Sequence, residues 1–217
     1  MTVNKNILPS RDEWLIARGT RIGGSDSSSI VGMNPYKTNV ELWLEKTGQK
    51  TAKDISDKPY VIYGTKAERP LRELFELDFP NLKVFYEENN LFTNDHYPFA
   101  HASLDGWLED EEGKRGILEI KTTNILQSMQ REKWNGQVPD NYYVQILHNM
   151  MVYEADFAVL KAQLKSEFKG ELSFQTKHYF FERLEVMDDI DYLIEKEKEF
   201  YKHIQDKSQP PLMLPEI

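Results

Sequence analysis

The sequence predicts an α/β chain, and three patterns carry that expectation. Apolar residues at helical spacing run through Tyr60–Phe79 and Asn141–Tyr153, and a long helix is expected over Met187–Gln205. Alternating residues mark strands between Leu82 and Lys121 and again over Asp156–Leu164 and Thr176–Glu182. The 217 residues fit a single domain, expected over 1–217 with a short flexible N-terminus and a C-terminal tail.

Composition narrows the function. Hydrophobic residues at 40% and aromatic residues at 12% allow a sizeable core and exclude a disordered chain. No apolar run is long enough to cross a bilayer, and the opening Met-Thr-Val-Asn-Lys-Asn lacks the apolar centre of a secretory signal. A soluble, cytoplasmic protein with no membrane partner is expected. The absence of cysteine removes disulfides, thiolate zinc sites and cysteine nucleophiles, leaving oxygen or imidazole for any metal. A formal charge of −9 argues against bulk coating of nucleic acid, yet permits a local grip on a few phosphates.

Ser10 to Glu13 form a capping box that opens a helix through Trp14, Leu15 and Arg18, with Gly19 able to end it. Gly23 and Gly24 then allow close backbone approach, and Ser25 or Asp26 can cap a second helix through Ile30 and Val31. With Arg18 and Arg21 nearby this is a candidate phosphate nest; a glycine turn with a serine cap gives the same pattern. Asn34-Pro35 breaks the chain, and Thr38 to Glu41 form a second capping box for a packing helix that stops at Gly48. Residues 49–58 read as a polar loop. Pro70 interrupts the helix of Tyr60–Phe79 and should bend it near Glu68.

Short strands follow at Lys83–Tyr86, Asn90–Thr93 and Phe99–Leu104, and they lead to Ala102–Trp107 and Gly116–Lys121. Turn residues Glu109–Lys114 let the strand carrying Asp105 fold back beside the strand carrying Glu119. Alternation points Glu119 and Lys121 to one wet edge and Leu118 and Ile120 to a core. Paired carboxylates need a cation or proton between them, and hard oxygen ligands suit magnesium or manganese, with Lys121 beside the place of a phosphate or water. An exposed hairpin with a surface Glu–Lys pair would show the same Glu-Ile-Lys. A segment with Met129, Arg131, Lys133 and Trp134 reads as helical. On the next helix, Ile146, Met150 and Tyr153 form one stripe and Tyr142, Gln145 and Asn149 a polar one. The acidic final helix presents a solvated face, and Pro210–Leu214 make a tail able to dock on a neighbouring subunit.

Ser103-Leu-Asp-Gly106 followed by Leu118-Glu-Ile-Lys121 resembles the signature of the PD-(D/E)xK nuclease superfamily. Joined in order by Trp14–Ser25, Gly64–Glu68 and Tyr142–Gln145, it resembles the YqaJ-like viral recombinase and lambda exonuclease family over most of the first 155 residues. The resemblance implies a restriction-endonuclease-like core, a central mixed sheet flanked by helices. It implies that Asp105, Glu119, the Ile120 carbonyl and Glu68 hold Mg2+, with Mn2+ as substitute and two ions as the expected number. Lys121 would orient or deprotonate the attacking water, and Gln145 would hold the water or the scissile phosphate. Arg18 and Ser25, with the Gly23–Gly24 turn, would receive the 5′ phosphate of a DNA end, with Arg21 as the local alternative.

The implied activity is 5′-to-3′ exonuclease action on double-stranded DNA, leaving 3′ tails for phage-type recombination. An endonuclease, a single-strand nuclease and an inactive DNA-end-binding scaffold are the alternatives. The resemblance also implies a homo-oligomer, as a trimeric ring, a single-strand annealing partner, and a phage or prophage origin in a bacterial host.

Overall fold

Residues 3–7 form a strand, β1 (Val3–Ile7), where the sequence suggested a short flexible N-terminus. The computed structural model describes residues 2–214. With few apolar residues, β1 is held by its antiparallel ladder, from Val3 opposite Asn94 to Ile7 opposite Asn90. Behind Ser10, whose hydroxyl accepts from the Glu13 amide at 3.2 Å, comes α1 (Arg11–Gly19). The two-residue β2 (Ile22–Gly23) leads into α2 (Gly24–Ile30), which starts ahead of the expected Ser25 or Asp26 cap. Asp26 lies inside the first turn and accepts from the Gly23 amide at 3.0 Å.

The Thr38–Glu41 capping box opens α3 (Asn39–Lys46), and α4 (Pro59–Asp78) runs unbroken through Pro70. Strands β3 (Lys83–Phe85), β4 (Asn90–Asn94), β5 (Ala100–His101), β6 (Gly106–Glu109) and β7 (Arg115–Asn124) follow. The short α5 (Ser128–Glu132), α6 (Asp140–Tyr153), the hairpin β8 (Phe157–Phe168) and β9 (Glu171–Glu182), and α7 (Met187–Gln205) complete the order. The hairpin is longer than its apolar alternation suggests. Exposed or half-buried residues, from Lys165 opposite Phe174 to Phe168 opposite Glu171, extend the ladder to a two-residue turn, where Lys169 at φ 51° and Gly170 at φ 82° supply the positive dihedrals such turns need.

The main sheet has the order β3-β6-β7-β8-β9, with β7 and β8 parallel and their neighbours antiparallel. A parallel pair needs a crossover, and α5 and α6 supply it. On one face Ile117, Leu160 and Ala162 pack against Ile146, Leu147 and Met150 of α6. On the other, Leu118, Ile120 and Val159 pack against Leu71 and Phe75 of α4. Burial on both faces accounts for the near-continuous apolar run of β7. It also corrects the wet edge expected for Glu119 and Lys121: that face lies under α6, and Glu119 is only 3% exposed.

The tail read from the sequence as able to dock on a neighbouring subunit is anchored on its own chain. The Asn39 side chain donates to the Pro211 carbonyl at 2.7 Å and accepts from the Met213 amide at 2.9 Å. Met1 and residues 215–217 lie outside the described residues. Among those described, no helix is long and apolar enough to cross a membrane.

Candidate active site

The β6–β7 ladder pairs Gly106 with Leu118, so Asp105, on the bend entering β6, stands beside Glu119. Its Oδ2 accepts from the Ile120 amide at 2.8 Å, which locks the carboxylate to the partner strand. Glu68 arrives from α4, across the sheet from α6, lines the same cleft and lies near enough for its charge to act on Asp105. Lys121 Nζ lies 2.7 Å from Glu119 Oε1. From α6, Gln145 Nε2 donates to the same oxygen at 2.7 Å and Asn149 Nδ2 donates to Oε2 at 3.1 Å. Glu68, Asp105, Glu119, Lys121, Gln145 and Arg18 line one cleft of about 920 Å³.

The acids resist ionising together. Burial, then the neighbouring Glu68 carboxylate, push Asp105 up to about 8 against the pull of Lys121 and the Ile120 amide. Burial, with Asp105 adding to it, pushes Glu119 up to about 7 despite Lys121 and Asn149. Burial works against the Lys121 ammonium, but Glu119 and Asp105 outweigh it and hold it charged. Two acids held above their usual range are groups that could give up protons in exchange for a cation.

The phosphate nest read from the sequence is divided by the fold. Arg18 lines the cleft, its guanidinium 4.0 Å from the Trp14 ring centroid, while Arg11 lies 4.1 Å from it. Arg21 turns to the Pro98 carbonyl at 3.1 Å, and Gly23, Gly24 and Ser25 do not line the cleft. The Gly23 amide is taken by Asp26, itself paired with Lys46 at 2.8 Å. Both glycines answer to packing. A Cβ at Gly23 would sit 2.7 Å from the His101 ring, and one at Gly24 would sit 2.8 Å from Asn149 Oδ1.

The donor set fits a hard divalent cation. Among the described residues no three His, Asp or Glu side chains converge into a complete cage. Magnesium does not require one, because it keeps several waters and binds through one or two carboxylates together with substrate phosphates. Asp105 and Glu119, with the Ile120 carbonyl between Glu119 and Lys121 on β7, meet that pattern, and Glu68 adds a further oxygen donor.

Sequence reasoning left two residues of this site without a role. Asn149, 1% exposed, stands one turn beyond Gln145 on the polar stripe, which was the available signal. Arg72 stands one turn beyond Glu68 and donates its Nε to the Asp105 carbonyl at 2.5 Å, a contact that no local pattern announces.

The model of the YqaJ-like viral recombinase domain matches residues 13–156, a stretch that holds the candidate residues from Arg18 to Asn149. The chain belongs to the YqaJ-like viral recombinase family. It is 36% identical over 161 residues to the uncharacterized protein YqaJ of Bacillus subtilis (strain 168), covering 72% of this chain and 48% of that one. Protein D345L of African swine fever virus (strain Badajoz 1971 Vero-adapted) is 22% identical over 175 residues, 80% of this chain and 44% of the viral one. The YqaJ-like chain thus spans about half the length of these relatives.

Among solved structures, the alkaline exonuclease LHK-Exo of Laribacter hongkongensis superposes with a TM-score of 0.60 at 14% identity, over 90% of this chain and 95% of that one. A phage related exonuclease from Haemophilus somnus 129PT gives 0.52 at 13% identity, over 86% and 96%. These likenesses show the fold: the restriction-endonuclease-like core, with its mixed sheet between helices, that the sequence led us to expect.

Proposed function

We propose that this chain is a magnesium-dependent deoxyribonuclease that degrades double-stranded DNA from its 5′ ends, leaving 3′ single-stranded tails for phage-type recombination. The observation that carries this reading is the convergence of Asp105, Glu119 and Lys121 in one cleft, with Asp105 tied to the Glu119 strand at 2.8 Å. The family match and the exonuclease neighbours support it, one of them, LHK-Exo, having also been solved in complex with dAMP.

Asp105, Glu119, the Ile120 carbonyl and Glu68 would hold Mg2+, or Mn2+ in its place, with two ions proposed. Bound there, the metal supplies charge to a phosphoryl oxygen and lowers the pKa of water. Gln145 and Asn149 fix both Glu119 oxygens, so this carboxylate does not reorient during the reaction. Lys121, held protonated, orients the attacking water by donating to it. Glu68 accepts the proton that water loses. The water oxygen bonds to phosphorus as the bond to the 3′ oxygen breaks, and that oxygen leaves as a hydroxyl by taking a proton from bulk water.

Of the residues expected to receive the 5′ phosphate, Arg18 lines the cleft and is given that role here. A phosphate freshly exposed by each cut would rebind there and give the digestion its direction. A homo-oligomer, as a trimeric ring around DNA, and a single-strand annealing protein are the partners proposed with this activity.

The test is incubation with linear duplexes bearing a 5′ phosphate or a 5′ hydroxyl and with a covalently closed circle, with magnesium or with chelator. Phosphorylated ends should be digested fastest, the circle should stay intact, and chelator should stop all loss. In Arg18→Ala the preference for phosphorylated ends should disappear. A circle cut as readily as a linear duplex would replace the exonuclease with an endonuclease, and no digestion of any substrate would overturn the reading.

A further inference from the structure

We infer that Arg72 is a phosphate-binding residue of the cleft, receiving a non-bridging oxygen of the DNA backbone at the Asp105 end of the site. This deepens the nuclease reading and rests on it.

Arg72 stands one turn after Glu68 on α4, lines the same cleft and is only 7% exposed. Its Nε is bound to the Asp105 carbonyl at 2.5 Å, and its guanidinium carbon lies 3.5 Å from the Tyr86 ring centroid. The hydrogen bond and the stacked ring fix the plane of the group. Its neighbour Arg69 pairs with Glu73 at 2.8 Å, whereas Arg72 has no carboxylate partner among the described residues. With one N–H used, the rest of the fork is free.

Burying a guanidinium without an anion is costly, and a planar fork held in one orientation matches two oxygens of a phosphate. The rim of the cleft also carries Glu73, Glu76 and Glu88, which repel a nucleic-acid backbone. A fixed cation beside Asp105 offsets that repulsion at the place where the chemistry needs a phosphate. Lys121 stands on the Glu119 side of the cleft, 2.7 Å from that carboxylate, with its role in orienting the water already assigned.

Arg72→Gln, Arg72→Lys and Tyr86→Leu in the full chain test the inference. Three quantities are measured: thermal melting, digestion of a 5′-phosphorylated duplex in magnesium, and the salt dependence of binding that duplex with calcium in place of magnesium. Arg72→Gln should slow digestion about 100-fold and flatten the slope of log affinity against log salt by about 0.9, the signature of one lost phosphate contact. Arg72→Lys should keep the slope and still slow digestion at least about tenfold, because the charge remains and the fork is gone. Tyr86→Leu should slow digestion with the slope intact.

A slope unchanged in Arg72→Gln would overturn the inference whatever happens to digestion, since the residue would then only brace Asp105. If Arg72→Gln does not fold, Arg72→Lys decides, and digestion at the wild-type rate overturns it. A wild-type chain that binds the duplex but digests nothing would contradict the nuclease reading, while a flattened slope in Arg72→Gln would still support the phosphate contact.

Discussion

Gln145 and Asn149 stand one turn apart on α6 and divide the two oxygens of Glu119 between them, at 2.7 and 3.1 Å. Groups that orient a ligand carboxylate cost about 10- to 100-fold in activity or metal affinity when removed. Asn149→Ala should therefore slow digestion within that range while the chain still melts cooperatively. Steady-state rates beside a melting curve check this, and the loss should fall on kcat more than on KM.

Gly24 is the residue that lets α2 approach that pair. A Cβ there would lie 2.8 Å from Asn149 Oδ1 and 3.0 Å from Gln145 Cγ, and Asn149 is not free to retreat because Glu119 holds it. Gly24→Ala should cost about 1–3 kcal/mol of stability, as overpacked sites do, and should slow digestion as Asn149→Ala does. Gly19→Ala is the control: a Cβ at that position in α1 meets nothing within 4 Å. Its unfolding free energy should be unchanged or slightly raised.

In the proposed site, Asp105 serves the chemistry at the expense of stability. It is buried against Glu68 and Glu119, and removing its charge relieves that repulsion. In chelator, Asp105→Asn should melt several degrees above the wild type and should digest no DNA. Differential scanning calorimetry beside a digestion assay reads both effects.

His148, given no role from the sequence, ties α6 to α7. Its Nδ1 lies 2.7 Å from Glu197 Oε1 and its Nε2 lies 2.9 Å from the His101 carbonyl, so acceptors face both ring nitrogens and the imidazolium suits them. Burial lowers its pKa, but Glu197 outweighs burial and raises it above the ordinary 6.5. A raised folded pKa contributes stability that is fully present below the unfolded value and is lost as pH rises through the folded one. The melting temperature should therefore decline on the alkaline side of 6.5, and Glu197→Gln should flatten that decline. Glu197→Ala should cost about 3–5 kcal/mol, as breaking a buried pair does.

Much of this site could be read from the chain, for identifiable reasons. Glu119 and Lys121 share a face by alternation, the acidic turn after Glu109 forces Asp105 back beside them, and Gln145 and Asn149 fall on one polar stripe. The role of the glycines could not be read. Gly23-Gly24 has the composition of a phosphate nest, but its need for glycine comes from His101 and Asn149, residues distant in sequence that pack against it. The wet edge expected at Glu119 failed for a related reason: alternation shows that two residues share a face but not whether a helix covers it. β1 was missed because its pairing with β4, not its own apolar content, makes it a strand.

The most direct measurement is magnesium-dependent digestion of a 5′-phosphorylated linear duplex by the wild type and by Glu119→Ala, each with its melting curve. The wild type should degrade the duplex, and Glu119→Ala, still folded, should be slower by at least about a thousandfold. Digestion by folded Glu119→Ala at the wild-type rate would show that these carboxylates are not the catalytic centre.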